Sequence, residues 1–147
     1  GFCELLQSVL SGFNMMPGNE QTQQMLRYSN DGFPKVVDYL YDHFDEFKLL
    51  LTSGENSAYQ EFIHRVVELD TECTAKYIEA SENDAIKSGR LTPELNHLLS
   101  SAFYTGMFEV IIHDMPKEQA LEHIHRMRRF YTAGWQTIFS TDGGDVV

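Results

Sequence analysis

Cysteine is scarce in this chain: Cys3 and Cys73 are the two thiols among 147 residues, and no CxxC spacing joins them. Two cysteines cannot form a disulfide framework. They predict a reduced, cytoplasmic chain in which Cys73 is a small buried hydrophobe rather than a nucleophile. Basic residues are also few, 11 against 22 acidic, for a net charge of −11. That surface repels phosphate backbones and anionic lipid leaflets, which predicts no nucleic-acid contact and no membrane docking by this chain. No apolar run approaches the roughly 18–20 residues that span a bilayer, and no basic-then-apolar segment opens the sequence. Sustained period-2 alternation is absent, and no Asn-Gly or Asp-Gly turn joins two such runs. GxSxG, Walker, GxGxxG and HExxH patterns are absent too, so neither an enzyme nor a cofactor is indicated.

What is present is a folding composition, 42% hydrophobic and 12% aromatic, with apolar residues at helical spacing. One all-α domain over residues 1–147 with about six helices is the expectation. Phe2, Leu5, Leu6, Val9, Leu10 and Phe13 form one face of a first helix, broken at Met16-Pro17-Gly18-Asn19. A short helix over about 20–28 follows, then a turn at Asn30-Asp31-Gly32. Pro34 suits the first turn of a helix running to about Leu51 on Val36, Val37, Leu40, Phe44 and Phe47. Gly54 is a stop, and Ser57 with Gln60 forms a capping box. A long helix then runs to about Lys87, closed by Ser88-Gly89. Thr92-Pro93-Glu94 is the clearest start signal: a hydroxyl cap, proline at the first helical position and an acid facing the helix dipole. Pro116 opens a last helix ending near Phe139, and a polar, glycine-rich tail closes the chain.

The last two helices carry more apolar surface than one core contact needs. The first has a stripe at Leu95, Leu98, Leu99, Ala102, Phe103, Gly106 and Val110, and a second set at Tyr104, Met107, Phe108, Ile111 and Ile112. The other has Leu121, Ile124, Met127, Tyr131 and Ile138, with Phe130, Trp135 and Phe139 beside them. Small residues at Ala102, Gly106, Ala133 and Gly134 permit close helix approach. Either these helices are buried centrally within the monomer, or a symmetric homodimer through them covers the surplus with its own copy, and the dimer is the favoured expectation.

Six histidines (43, 64, 97, 113, 123 and 125) have no ligand-like spacing on a helix, so no metal site is expected. The acids Asp38, Asp42, Asp45 and Glu46 read as a solvated face. The run His125-Arg126-Met127-Arg128-Arg129 reads as charges placed around acidic neighbours. Asp70 stands out, because it falls on the inner stripe of the long helix, between Val66 and Cys73. A carboxylate there pairs with Lys48 or a nearby histidine, or sits on a helix rotated enough to wet it, or serves as the polar anchor of an apolar small-molecule pocket.

Four segments together resemble the C-terminal regulatory domain of TetR-family transcriptional regulators. They are Tyr41-Asp42-His43-Phe44-Asp45-Glu46-Phe47-Lys48-Leu49-Leu50-Leu51; Ser53-Gly54-Glu55 leading into Tyr59-Gln60-Glu61-Phe62-Ile63-His64; Phe108-Glu109-Val110-Ile111-Ile112-His113-Asp114-Met115-Pro116; and Phe130-Tyr131-Thr132-Ala133-Gly134-Trp135. The resemblance implies a ligand-sensing, dimerising domain of a repressor. The DNA-reading helix-turn-helix of such a regulator would precede this chain, since nothing before residue 30 is basic enough to be one. It implies an unidentified small-molecule effector held by residues drawn from Phe44, Phe47, Leu51, Tyr59, Phe62, Val66, Asp70, Cys73, Phe103 and Met107. It also implies a four-helix-bundle dimer interface drawn from Leu99, Phe103, Gly106, Val110, Ile124, Met127, Tyr131, Gly134, Trp135 and Ile138. The alternative expectation is a stand-alone helical protein–protein interaction module without an effector.

Overall fold

Helical periodicity becomes architecture directly. The computed structural model describes residues 1–14, 32–53 and 57–140, and among these it has six α-helices and no strand. They are α1 (Phe2–Asn14), α2 (residues 32–42), α3 (Phe44–Thr52), α4 (Ser57–Ala80), α5 (Pro93–Ile112) and α6 (Lys117–Phe139). The expected helix over 20–28, the breaks at Met16–Asn19 and Asn30-Asp31, the Gly54 stop and the C-terminal tail lie outside the described residues.

Thr92 is an N-cap of the kind the sequence announces. Its backbone is extended (φ −103°, ψ 161°), and its hydroxyl accepts a 3.1 Å hydrogen bond from the Leu95 N–H, with Pro93 at the first helical position. Two boundaries differ from expectation. The helix expected from Pro34 to Leu51 is divided by a turn at His43. There the imidazole stacks on Tyr39 at 4.3 Å and its Nδ1 lies 3.1 Å from the Tyr39 carbonyl. The long helix stops at Ala80 instead of running to Lys87. Its end is closed by a bond from the Asn83 N–H to the Ile78 carbonyl (3.1 Å), with Glu82 in the left-handed region at φ 56°. Glycine ordinarily takes that position, so the stop carries no glycine signal in the sequence. α5 ends in the same way, with Asp114 at φ 55° and the Met115 N–H bonded to the Val110 carbonyl at 2.9 Å.

α4 and α5 form the central pair, with α1 against α4 and α3 and α6 against α5. At one end the core is aromatic. The Phe2 ring lies 5.5–5.8 Å from those of Phe47, Phe62 and Phe108, in tilted and edge-on contacts. Gly32 matters here, because a Cβ at that position would stand 2.8 Å from the Val9 side chain, so a larger residue requires that side chain to shift.

Side chains of neighbouring elements satisfy helix-end carbonyls that would otherwise lack partners. Lys48 donates to the Ile112 carbonyl (2.7 Å) and to Asp114 (2.8 Å), and the Tyr41 hydroxyl donates to the Met115 carbonyl (2.6 Å). These bonds tie α2 and α3 to the end of α5. At the opposite end, Asn83 donates to the Phe139 carbonyl (2.9 Å) and Arg90 to that of Ile138 (2.7 Å), while Arg90 also pairs with Asp84. The last turn of α6 is thereby pinned over a small second core of Tyr77, Ile78, Ala85 and Leu91, against which Trp135, Ile138 and Phe139 pack.

Candidate functional site

Between the aromatic end and the pinned end of α6 lies a cavity of about 130 Å³. Its wall draws on five helices: Val9 and Leu10 from α1, Phe33 from α2, Asp70, Cys73, Thr74 and Tyr77 from α4, Leu99, Ser100, Phe103 and Tyr104 from α5, and Arg128, Tyr131, Thr132, Trp135 and Phe139 from α6. Aromatic and aliphatic groups dominate it, with a few polar groups placed among them, as in small-molecule sites generally.

The polar groups form a constellation around Asp70. Ser100 on α5 donates a 2.6 Å hydrogen bond to Asp70 Oδ2, and Tyr104, one helical turn on, donates a 3.1 Å bond to Oδ1. The i, i+4 spacing of Ser100 and Tyr104 puts both hydroxyls on the face of α5 that meets α4. Asp70 keeps some accessible area because it lines the cavity, but its carboxyl sits deep in the protein. Burial raises its pKa above the ordinary carboxylate value, against the lowering effect of the two hydrogen bonds and of Arg128. The Tyr104 hydroxyl is raised well above its usual value, first by burial and then by the charge of Asp70. Lys48 and the histidines do not partner Asp70, because Lys48 is committed to Ile112 and Asp114 and the carboxylate is held by hydroxyls.

Arg128 is the second pole of the site. Its guanidinium carbon lies 3.7 Å from the centroid of the Phe33 ring and 5.9 Å from that of Phe103, which is a cation–π arrangement. Burial lowers its pKa, with Asp70 acting in the opposite direction. Its Nε–H is buried and has no hydrogen-bond partner among the described residues. Thus a carboxylate that is already hydrogen-bonded and a guanidinium that rests on rings face one small chamber.

Of the expected ligand positions, the structure brings Asp70, Cys73 and Phe103 to this cavity. Phe47, Leu51, Val66 and Met107 are buried in the core, with Phe44, Tyr59 and Phe62 packed against it, none of them on the cavity wall. Leu99, Phe103, Tyr131 and Trp135, expected at a partner interface, line the cavity instead. Ile124 is buried inside the chain, and Ile138 packs on the second core. Gly106, Val110 and Met127 border an open groove between α5 and α6 together with Phe130, and Gly134 is exposed nearby on α6. α5 carries two apolar faces. Tyr104, Met107, Phe108 and Ile111 are buried, whereas Leu98 is 62% exposed and Ala102 is exposed as well.

Ser100, Tyr104, Phe33 and Arg128 were not among the expected site residues. For Arg128 a signal existed: it stands four residues from both Ile124 and Thr132, which are buried, on the inward row of α6. Its place within a run of basic residues masked that spacing. Among the described residues, no three His, Cys, Asp or Glu side chains come together as a potential metal site, and no helix is long and apolar enough to cross a membrane. No family model matches the chain, and no curated protein or solved structure matches it.

Proposed function

We propose that this chain is a small-molecule-sensing and dimerising domain of the TetR-like kind, acting in the cytoplasm within a transcriptional repressor. The observation that carries the reading is the cavity itself. A mostly apolar pocket lined by five helices holds a buried Asp70–Ser100–Tyr104 cluster and a guanidinium whose Nε has no hydrogen-bond acceptor among the described residues. Buried charge is costly to maintain where packing alone is at stake. A ligand that engages it recovers part of that cost.

The mechanism is a population shift. A ligand in the cavity touches α4, α5 and α6 at once, so it favours one arrangement of α5 against α6. The outer sides of those helices carry Leu98, Phe130 at 76% exposure, and the groove bordered by Gly106, Val110 and Met127. A second copy of the chain packed there forms a four-helix bundle whose geometry follows the cavity's occupancy. In a full-length regulator the bundle would set the separation of two DNA-reading heads outside this chain, which must fit major-groove half-sites about 34–36 Å apart. A coupling of about 1–3 kcal/mol changes operator affinity by about 5- to 150-fold. The function is recognition rather than catalysis, with the Asp70 oxygens engaged by Ser100 and Tyr104.

The exposed Phe130 beside the groove also favours a second reading, in which this face receives a different protein and the chain is an interaction module without an effector. Thermal melts over a panel of anionic, neutral and cationic small organic compounds separate the two. A sensor gains stability in proportion to the logarithm of ligand concentration, whereas an interaction module gains none from any member of the panel.

A further inference from the structure

The sensing site has two charged poles, and they differ in how well they are already satisfied. Asp70 accepts from Ser100 at 2.6 Å and from Tyr104 at 3.1 Å, one donor on each oxygen. Arg128 has aromatic faces in place of acceptors: the Phe33 ring lies under its guanidinium at 3.7 Å, and its Nε–H is buried and, among the described residues, unpartnered. A guanidinium presents five N–H donors in one plane, and stacking on Phe33 uses the face of that plane, not its edge. The unmet demand in the chamber is therefore for an acceptor at Arg128.

From this we infer, resting on the sensor reading above, that the cavity takes a small carboxylic acid with a ring-sized apolar body, its carboxylate on the edge of Arg128 and its body against Phe103, Tyr131 and Trp135. A planar carboxylate meets the guanidinium fork with two parallel charge-assisted hydrogen bonds. The size follows from the volume. About 130 Å³ is close to the roughly 150 Å³ apolar cavity known to hold one benzene, so the body is about one six-membered ring. A cation has no comparable seat, because it would meet Arg128 at close range.

Benzoate is the probe that tests this, with benzamide as its neutral isostere and benzylamine as its cationic counterpart. Thermal melts and calorimetric titration of the whole chain should give a concentration-dependent rise in Tm with benzoate and a much smaller one with benzamide or benzylamine. Arg128→Lys keeps the charge but loses the fork, and should weaken benzoate binding by about tenfold or more. Arg128→Gln, shown folded by circular dichroism, should abolish the preference for benzoate over benzamide. If the glutamine variant does not fold, the lysine variant and the three-probe series in the native chain decide alone. Equal stabilisation by all three probes, stronger stabilisation by benzylamine, or benzoate binding indifferent to Arg128→Lys would overturn the inference while leaving a sensor of another ligand class intact. A response to none of the three overturns it as well, and the broader panel then judges the sensor reading separately.

Discussion

Ser100 on α5 and Asp70 on α4 are joined by a 2.6 Å hydrogen bond that crosses the central helix pair inside the cavity wall. It is the shorter of the two bonds holding a carboxyl that has been moved out of water, so its removal leaves Asp70 with Tyr104 alone. Ser100→Ala should lower the unfolding free energy by about 1.5–3 kcal/mol, the range for hydrogen bonds to charged groups. Urea denaturation measures it, and a loss below about 0.5 kcal/mol would mean that water replaces the hydroxyl freely.

The pH dependence of stability follows from the burial of Asp70. Its carboxyl is raised above the ordinary value, chiefly by loss of hydration. The folded chain therefore binds this proton more tightly than the unfolded chain does. The stabilising contribution is complete below the unfolded pKa and is lost as pH rises through the folded one. Asp70→Asn removes the effect. The stability of the native chain relative to that variant should fall as pH climbs from the ordinary carboxylate range through the raised value, a tenfold change in proton affinity being worth about 1.4 kcal/mol. Paired denaturation curves across that range test it, and parallel curves would contradict it.

Arg90 holds the end of α6 by donating to the Ile138 carbonyl at 2.7 Å while pairing with Asp84. A cation at a helix C-terminus also meets the negative end of the helix dipole. Arg90→Ala should cost about 1–2 kcal/mol and fray the last turn, which carries the cavity residues Trp135 and Phe139. Hydrogen exchange should accelerate over residues 135–139 before it changes in the middle of α4. Uniform acceleration throughout would point to global destabilisation instead.

Gly134 offers a sign test of the proposed dimer. Nothing lies within 4 Å of where its Cβ would stand, so the single chain has room for a larger residue. Within one chain, Gly134→Leu should stabilise α6 by up to about 0.8–1 kcal/mol through helix propensity. Across a close helix–helix interface the same side chain collides with the partner. Sedimentation should therefore show the native chain near twice 16.9 kDa and the variant near the single mass. A native chain that sediments as a monomer would remove the interface.

How much could be read beforehand varied with the kind of signal. Thr92-Pro93-Glu94 announced the start of α5 because capping is local chemistry. The end of α4 was hidden, because Glu82 occupies a left-handed position that glycine would have flagged. Asp70 was legible as an acid in an apolar stripe, but its partners were not. Ser100 and Tyr104 lie 30 and 34 residues away, and only packing of α4 on α5 brings them near. Arg128 was hidden by its neighbours in sequence, since Arg126 and Arg129 are exposed while Arg128 turns inward onto Phe33. The surplus apolar surface of α5 was visible, whereas which face would be buried depended on the position of α4.

The central claim is that the chamber around Asp70 and Arg128 takes a small carboxylic acid, with its carboxylate on Arg128. The most direct measurement is a two-dimensional NMR titration of the isotope-labelled chain with benzoate. Saturable shifts of the Trp135 indole and of the backbone amides of Asp70, Ser100 and Arg128 are expected, with the exposed positions around Leu49 unmoved. Shifts confined to the outer groove near Phe130, or no saturable shift at all, would contradict it.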